Sequence, residues 1–541
     1  MSRSALSGAT VGLCIGGAES LRPSLTPRDT LHQGLVTGLM ASSGALLGAG
    51  LGGLVGRVTG PRSQGVWLPT VTAGAAVVGA VLQGRRHLSA QADAHEEWGE
   101  IDGRPAVGAV VGGAVAAGLA AGAVLGGSEL ISSSAEVSRR LPGPTPLWSA
   151  SIAGAAVAGT VMLGRMTLAR VLNGLAKSGA TADAALVDQT TDPYVSGNAS
   201  SAVPYDTLSR EGRRFVAWRV TRDEMLTDSG ERAQQPIRVF VGVQTAPGIS
   251  ERVELAIAEL DRLDAWSKSY ILAVSPAGTG YANSVPVEAL ELLTDGDCAS
   301  VSVQYGLLPS MFSLNKVPTA AQTFRSLIER IHQRIAQTHS NAQLLLYGES
   351  LGADAAQKAL QLPPDLVDLD SAHVAEIDRA LFVGTPGGKS LRDDLLHHPR
   401  TVHVDRWQAL PDPLPTDVQL WFLEHQADPV TRFDRTLIWN RPPWLAGDPR
   451  GRNIPDDMAW VPLGTWQQVL LDVAYATQSQ SGVFRSVGHD YRADLAPLVA
   501  AAFVPERMDR VPEVQRVLAD REIARDRRLT EAQEAAANSA G

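Results

Sequence analysis

The sequence predicts two structural classes in one chain of 541 residues: an all-α membrane region, followed by an α/β domain with a mainly parallel sheet. Three observations support this. Long runs without a charged residue occupy roughly the first third of the chain. From about residue 236, short β-rich runs alternate with runs of helical spacing, which is typical of a parallel sheet covered by helices. A glycine-flanked serine lies between one such strand and the next helix.

Four uncharged runs are long enough to cross a bilayer, since roughly 20 residues span ~30 Å of hydrocarbon. They cover residues 33–56, 64–84, 105–128 and 145–164. A shorter run over residues 4–18 is either a fifth span or a signal peptide, and the repeated spans after it favour a membrane helix. The alternative for the longer runs is a set of buried Ala/Gly-rich core helices. We predict a multi-pass transmembrane region over residues 1–176, with four or five spans in the cell membrane.

Glycines recur at every fourth position of two runs, which places them on one helix face. They are Gly44, Gly48, Gly52 and Gly56 in one run and Gly118, Gly122 and Gly126 in another. Such spacing lets helices approach closely in lipid. None of the four long runs carries an ionisable side chain, so packing is favoured over transport. Basic residues after the last run, Arg165, Arg170 and Lys177, favour a cytoplasmic C-terminal part.

Composition excludes several classes of site. A formal net charge of -10 without a basic stripe argues against a nucleic-acid partner. The cysteines, Cys14 and Cys298, are too few and too far apart in sequence for a disulfide framework or a cysteine metal site. His397, His398 and His403 lack the spacing of zinc ligands and are interpreted as surface residues. We therefore predict no metal and no other cofactor.

The chain after the membrane region divides into a linker and a catalytic domain. Residues 177–208 are rich in small and polar residues, as expected of a linker or irregular surface stretch. Residues 209–541 form the predicted α/β domain, with a charged C-terminal tail from about residue 504. Residues 440–480 contain Trp444, Trp460 and Trp466 and form either a lid or ordinary aromatic core, and the core is favoured.

The segment Gly348-Glu349-Ser350-Leu351-Gly352 has the spacing of a nucleophile elbow. A strand-like run precedes it and a helical run follows, which is the context that a strained strand-to-helix turn requires. Glycines on both sides leave room where side chains would collide. Ser350 is therefore the predicted nucleophile, and the alternative is a serine in an ordinary loop.

A serine hydroxyl needs a base, and the base needs an orienting acid. Asp428 ends the buried-looking strand in the stretch "VQLWFLEHQADPV", while its rivals lie within the strand pattern (Glu424) or before it (Asp405). The alternative for Asp428 is an Asx turn before Pro429. His489 is the one histidine after Asp428 in the sequence, and with the chain order serine, acid, histidine it becomes the predicted base. The other histidines after Ser350 are His373, His397, His398, His403 and His425.

Two backbone donors are expected to stabilise an oxyanion. The N–H of Leu351, directly after the nucleophile, is one. The other is expected from the loop over residues 275–281, in which Gly278, Thr279 and Gly280 allow the backbone to turn toward the site. An ordinary tight turn is the alternative for this loop.

Several stretches together resemble a bacterial family of α/β-hydrolases with a membrane-embedded N-terminal region. They are "LRPSLTPR", "EGRRFV", "PAGTGY", "GDCASVSVQYGLLPS", "YGESLGA", "HQADPV", "RPPWL" and "GHDY". The resemblance implies an α/β-hydrolase fold and a serine hydrolase with Ser350 as nucleophile, Asp428 as acid and His489 as base. Tyr281 departs from the family pattern, in which a tryptophan is expected.

These inferences predict a membrane-anchored serine hydrolase that acts on acyl esters through an acyl-enzyme. Its expected partners are the lipid bilayer and an acyl-ester or lipid substrate. Transfer of the acyl group to an acceptor other than water would use the same residues. Alternatives from other classes are a non-catalytic sensor or scaffold that binds a ligand, and a transporter with a hydrolase appendage.

Overall fold

A computed structural model describes residues 3–59, 98, 106–115, 182–309, 313–360, 376–388, 400–476 and 479–540. The chain forms two compact units. We call them the N-terminal unit, Met1–Arg170 with Arg432–Ala476, and the sheet unit, Val171–Thr431 with Thr477–Gly541. The predicted spans over residues 64–84 and 145–164 and the predicted domain limit at 176 lie outside the described residues.

The sheet unit is built on a parallel sheet, as predicted. Its described strands are β1 (Ile237–Val241), β2 (Tyr270–Ser275), β3 (Cys298–Val303), β4 (Gln343–Glu349), β5 (Arg379–Val383), β6 (Thr401–Val404) and β7 (Leu420–Leu423). Their order across the sheet is β1-β3-β2-β4-β5-β7-β6, and every pair is parallel. Most residues of the central strands are buried and apolar, because a parallel sheet is covered on both faces.

Helices connect these strands and cover the sheet. The described helices of two turns or more are α1 (Arg3–Glu19), α2 (Thr30–Thr59), α3 (Ala106–Val115), α4 (Arg210–Ala217), α5 (Ile249–Arg262), α6 (Ser284–Leu293), α7 (Val317–Thr338), α8 (Leu351–Leu360), α9 (Gly464–Tyr475), α10 (Arg492–Phe503) and α11 (Val511–Ala540). A one-turn helix, Pro429–Arg432, directly follows the predicted acid Asp428.

Residues 182–208, predicted as a linker, pack onto the sheet unit where they are described. Val195 pairs with Arg238 of β1. The Ser196 hydroxyl donates to the Phe240 carbonyl and accepts a hydrogen bond from the Phe240 N–H. Val195, Val203 and Leu208 are buried in the same core as the strands. The small polar side chains of this stretch make hydrogen bonds to its own turns and to β1. Linkers are rich in the same residue types, so the sequence of this stretch resembles that of a linker.

The C-terminal stretch, predicted as a charged tail, is the long helix α11. Its first turns bury Val511, Val514 and Leu518 against the sheet unit. Arg521 and Arg525 both pair with the fully buried Glu288 of α6. Charged side chains of α11 therefore bind the helix to the sheet unit, while other charged side chains of the same helix are exposed to solvent.

The described helices of the N-terminal unit pack through glycines. A Cβ at Gly12 would lie 1.9 Å from the Gly44 oxygen, and one at Gly48 would lie 2.0 Å from the Gly8 oxygen. Large apolar side chains such as Leu46, Leu51 and Leu54 are exposed instead. The predicted packing role is thus confirmed for Gly44, Gly48 and Gly52. Among the described residues, one helical stretch, Thr30–Gly52, is long and apolar enough to cross a membrane.

Residues 432–476 fold with the N-terminal unit around Asp472 of α9. The fully buried Asp472 carboxylate accepts hydrogen bonds from the Ser24 hydroxyl and the Leu25 N–H. Its Oδ1 lies 3.2 Å from His32 Nε2 and 3.7 Å from Arg28 Nε. Burial acts to raise the pKa of Asp472, but His32 and the charge of Arg28 outweigh it and hold that pKa below its usual range.

Candidate active site

Ser350 occupies a strained turn between β4 and α8. Its φ is 54°, a left-handed conformation that costs a non-glycine residue roughly 1–2 kcal/mol. The Ser350 N–H donates to the carbonyl of Val383, the last residue of β5, at 2.9 Å. The end of β2 lies so close to the start of α8 that a Cβ at Gly352 would be 2.2 Å from the Ser275 carbonyl oxygen. A Cβ at Gly348 would likewise lie 2.8 Å from the Gly352 oxygen, which explains both glycines.

Asp428 lies in the loop after β7 and is fully buried. Its Oδ1 accepts the Val430 N–H at 2.8 Å, which is the Asx turn considered as the alternative. Its Oδ2 lies 2.7 Å from His489 Nδ1. The Asx turn therefore does not exclude the predicted role of Asp428, because one carboxylate oxygen makes the turn and the other contacts His489.

His489 lies in the loop before α10, with its ring against the end of β5. A Cβ at Gly384 would lie 2.8 Å from His489 Cε1. Ser350 bonds to Val383, the residue before Gly384, so both predicted side chains belong to the same end of the sheet. Burial acts to lower the pKa of His489, but the negative charge of Asp428 outweighs it, and the pKa lies above the ordinary 6.5.

The rival acids and bases have other surroundings. Glu424 lies 3.4 Å from the half-exposed His403, and His425 lies 2.9 Å from Asp494. His373, His397 and His398 lie outside the described residues. Within the part of the chain that the structure describes, no group of three or more His, Cys, Asp and Glu side chains is arranged to hold a metal ion.

The predicted oxyanion loop turns back on itself. Its Ala277 N–H donates to the Tyr281 carbonyl at 2.8 Å, and the Gly280 N–H donates to the Ala277 carbonyl at 2.8 Å. The tight turn thus uses the N–H of Gly280, one of the predicted oxyanion donors. Its φ of +88° explains the glycine at that position. Gly278 and Thr279 remain the candidates, together with Leu351 at the first position of α8.

Glu349 joins the elbow to this loop. Its Oε2 accepts from Asn283 Nδ2 at 2.9 Å and from the Tyr347 hydroxyl at 2.6 Å. Burial raises the pKa of Glu349, and the charge of His489 opposes that shift. Asn283 also caps α6 by accepting the Val285 N–H. The side chain before Ser350 thus bonds to Asn283, two residues after the loop over residues 275–281.

Sequence reasoning missed two neighbours of the predicted acid and base. Tyr491 donates its hydroxyl to Asp428 Oδ2 at 2.6 Å, and Gly384 leaves the space that the His489 ring fills. The "GHDY" motif contained the signal for Tyr491, two residues after His489. Gly384 follows β5 with a φ of +56°, which a single sequence does not reveal.

Two comparisons with known families cover most of the chain. Residues 237–515 match a family described as an alpha/beta-hydrolase family. Residues 21–218 match the N-terminus of an alpha/beta-hydrolase family. Neither a curated protein nor a solved structure matches the chain.

Proposed function

Because this chain belongs to the alpha/beta-hydrolase family, we propose that it is a serine hydrolase with Ser350 as nucleophile, His489 as base and Asp428 as acid. The observation that carries the proposal is the 2.7 Å contact between His489 Nδ1 and Asp428 Oδ2, at the end of the sheet where Ser350 occupies its strained turn. A buried carboxylate at Nδ1 favours the tautomer whose Nε2 accepts a proton.

The proposed reaction follows from these positions. Ser350 Oγ attacks the acyl carbonyl carbon while its proton moves to His489 Nε2. The N–H of Leu351, with one from Gly278 or Thr279, stabilises the oxyanion that forms. Collapse of this intermediate breaks the bond to the leaving group, which takes the proton from His489. Water then attacks the acyl-enzyme with His489 again as base, and the free acid leaves Ser350.

The same proposal includes a membrane location and an acyl ester of lipid character as substrate. The N-terminal unit places glycines between its helices and leaves large apolar side chains exposed, an arrangement suited to lipid and costly in water. Membrane anchoring would keep the enzyme near apolar esters. The basic residues Arg165, Arg170 and Lys177 support a cytoplasmic side.

Labelling of the full chain with a fluorophosphonate probe tests the nucleophile. We expect labelling of the wild type and of Ser302→Ala, a control that removes a buried hydroxyl of β3. Ser350→Ala is expected to show none while unfolding at a similar temperature. Equal labelling of Ser350→Ala, or none in any folded variant, would overturn the proposal and favour a ligand-binding sensor.

Two further measurements test the substrate class and the location. Turnover over a series of ester chain lengths, with the Ser350→Ala control, is expected to rise with acyl length if the substrate is a lipid. The chain is expected to stay with membranes after alkaline carbonate washing. A preference for the shortest esters would contradict the lipid substrate, and release into the wash would contradict the anchoring.

A further inference from the structure

Tyr491 lies between the proposed acid and a second, buried histidine. Its hydroxyl donates to Asp428 Oδ2 at 2.6 Å and accepts the backbone N–H of His425 at 3.1 Å. The residue is 1% exposed, so neither bond competes with solvent. Burial raises the pKa of Tyr491, and the nearby charge of Asp428 raises it further, so the hydroxyl keeps its proton. Tyr491 is therefore a fixed donor to the oxygen that faces His489.

His425 holds the other side of this arrangement. Its ring stacks on Tyr491 with centroids 4.0 Å apart, and its Nδ1 lies 2.8 Å from the Gly488 carbonyl oxygen. Because a carbonyl only accepts, Nδ1 carries a proton. Nε2 lies 2.9 Å from Asp494 Oδ2, and the Ser486 hydroxyl lies 3.3 Å away. His425 and Asp494 thus form a buried His–Asp pair separate from the proposed triad.

These contacts join two loops that each carry one member of the proposed triad. The loop after β7 contains His425 and Asp428, and the loop before α10 contains His489 and Tyr491. Beyond the His489–Asp428 contact itself, several hydrogen bonds cross between them, among them Tyr491 to Asp428, His425 N–H to Tyr491, and His425 Nδ1 to Gly488. The backbone directly before His489 and the carboxylate that orients its ring are thus fixed by the same pair of side chains.

We propose that Tyr491 and His425 are positioning residues for His489 and Asp428. This inference rests on the proposed function. Neither side chain is assigned a contact with substrate. Tyr491 shares Oδ2 of Asp428 with His489, so its hydrogen bond withdraws negative charge from the oxygen that attracts the imidazolium. Removing that bond leaves Asp428 more basic toward His489 and frees it to rotate.

The test is the pH dependence of kcat/KM for a p-nitrophenyl ester, measured on the full chain. Tyr491→Phe is expected to lower kcat about tenfold with little change in KM, because it removes a hydrogen bond to the carboxylate that orients His489. The midpoint of its acid limb is expected to move to higher pH. Tyr205→Phe is the control, because it removes the hydroxyl of another buried tyrosine, which bonds to the Leu186 carbonyl at 3.1 Å. Its midpoint should stay at the wild-type value.

A second variant covers the case in which Tyr491→Phe fails to fold. 3-Fluorotyrosine in place of Tyr491 keeps the ring and makes the hydroxyl a stronger donor, so the acid-limb midpoint is expected to move to lower pH. His425→Gln is expected to lower kcat, whereas His403→Gln, at a half-exposed histidine beside Glu424, is not. An unchanged midpoint in every Tyr491 variant that folds would overturn the proposal.

The two proposals fail in different ways. If Ser350→Ala and His489→Ala lose turnover but Tyr491→Phe behaves like Tyr205→Phe, the triad stands and the positioning role is wrong. If Ser350→Ala and His489→Ala keep turnover, the proposed function itself is wrong, and the inference about Tyr491 and His425 falls with it.

Discussion

Gly384→Ala is the substitution that most directly tests the placement of His489. Gly384 follows β5 with a φ of +56°. An added Cβ would lie 2.8 Å from His489 Cε1, 3.1 Å from His489 Nδ1 and 2.8 Å from Tyr491 Cε2. Both rings are buried, and both belong to the loop before α10. The methyl group must therefore push this loop away from β5.

The size of the effect follows from the overlap. Carbon atoms pack at about 3.5 Å, so the His489 ring must retreat by roughly 0.7 Å. A misplacement of about 1 Å in a reacting group can cost about 100-fold in rate. We expect Gly384→Ala to lower the rate of fluorophosphonate labelling at Ser350 by about 10- to 100-fold. The positive φ adds a stability cost of roughly 1 kcal/mol or more.

Gly230→Ala is the matched control for the backbone cost. Gly230 has a φ of +51°, and a Cβ there would meet nothing within 4 Å. We expect a lowered unfolding temperature for both variants but slow labelling only for Gly384→Ala. Equal labelling rates for the two folded variants would refute the reasoning, because His489 would then have no role that depends on its position.

Three other predictions concern the elbow, the base and the membrane helices. The free energy of unfolding of Ser350→Gly is expected to be about 1 kcal/mol higher than that of Ser350→Ala, since glycine removes the strain of a positive φ. Equal urea midpoints of the two variants would contradict this. His489 must be neutral to accept a proton and its pKa is raised, so kcat/KM is expected to rise with pH through a midpoint above 6.5; a midpoint below 6.5 would contradict the stated influence of Asp428. Gly48→Leu is expected to lower the unfolding temperature in detergent, because its Cβ would lie 2.0 Å from the Gly8 oxygen. Gly50→Leu is the control and should be tolerated, because a Cβ at Gly50 meets nothing within 4 Å. Equal losses of unfolding temperature in the two variants would exclude packing through Gly48.

Local sequence signals predicted much of the sheet unit. Alternating apolar and helical runs indicated the parallel sheet, and Gly348 and Gly352 indicated a strained turn, which the φ of Ser350 confirms. Asp428 and His489 were identified by their order along the chain, and they lie 2.7 Å apart. These features depend on short segments of sequence and on the order of the elements along the chain. They can therefore be predicted from a single sequence.

Features that depend on distant pairing were not predictable in this way. The contact of Asp472 with Ser24 joins residues 448 positions apart, and no local pattern encodes it. Gly280 looked suited to donate to an oxyanion, but the turn geometry commits its N–H to Ala277. Tyr491 follows His489 closely in sequence, but its hydrogen bond to Asp428 depends on how two loops meet.

Residues 432–476 belong to the N-terminal unit, although they are inserted between Asp428 and His489. A fragment that began near residue 177 would keep this insertion but lose Arg28 and His32, the two side chains that lie beside the buried carboxylate of Asp472. The chain leaves the sheet unit four residues after Asp428 and re-enters it before His489, so trimming the amino terminus leaves a loose loop tethered to both residues. Producing the sheet unit alone therefore calls for replacing residues 432–476 as well as removing the first helices.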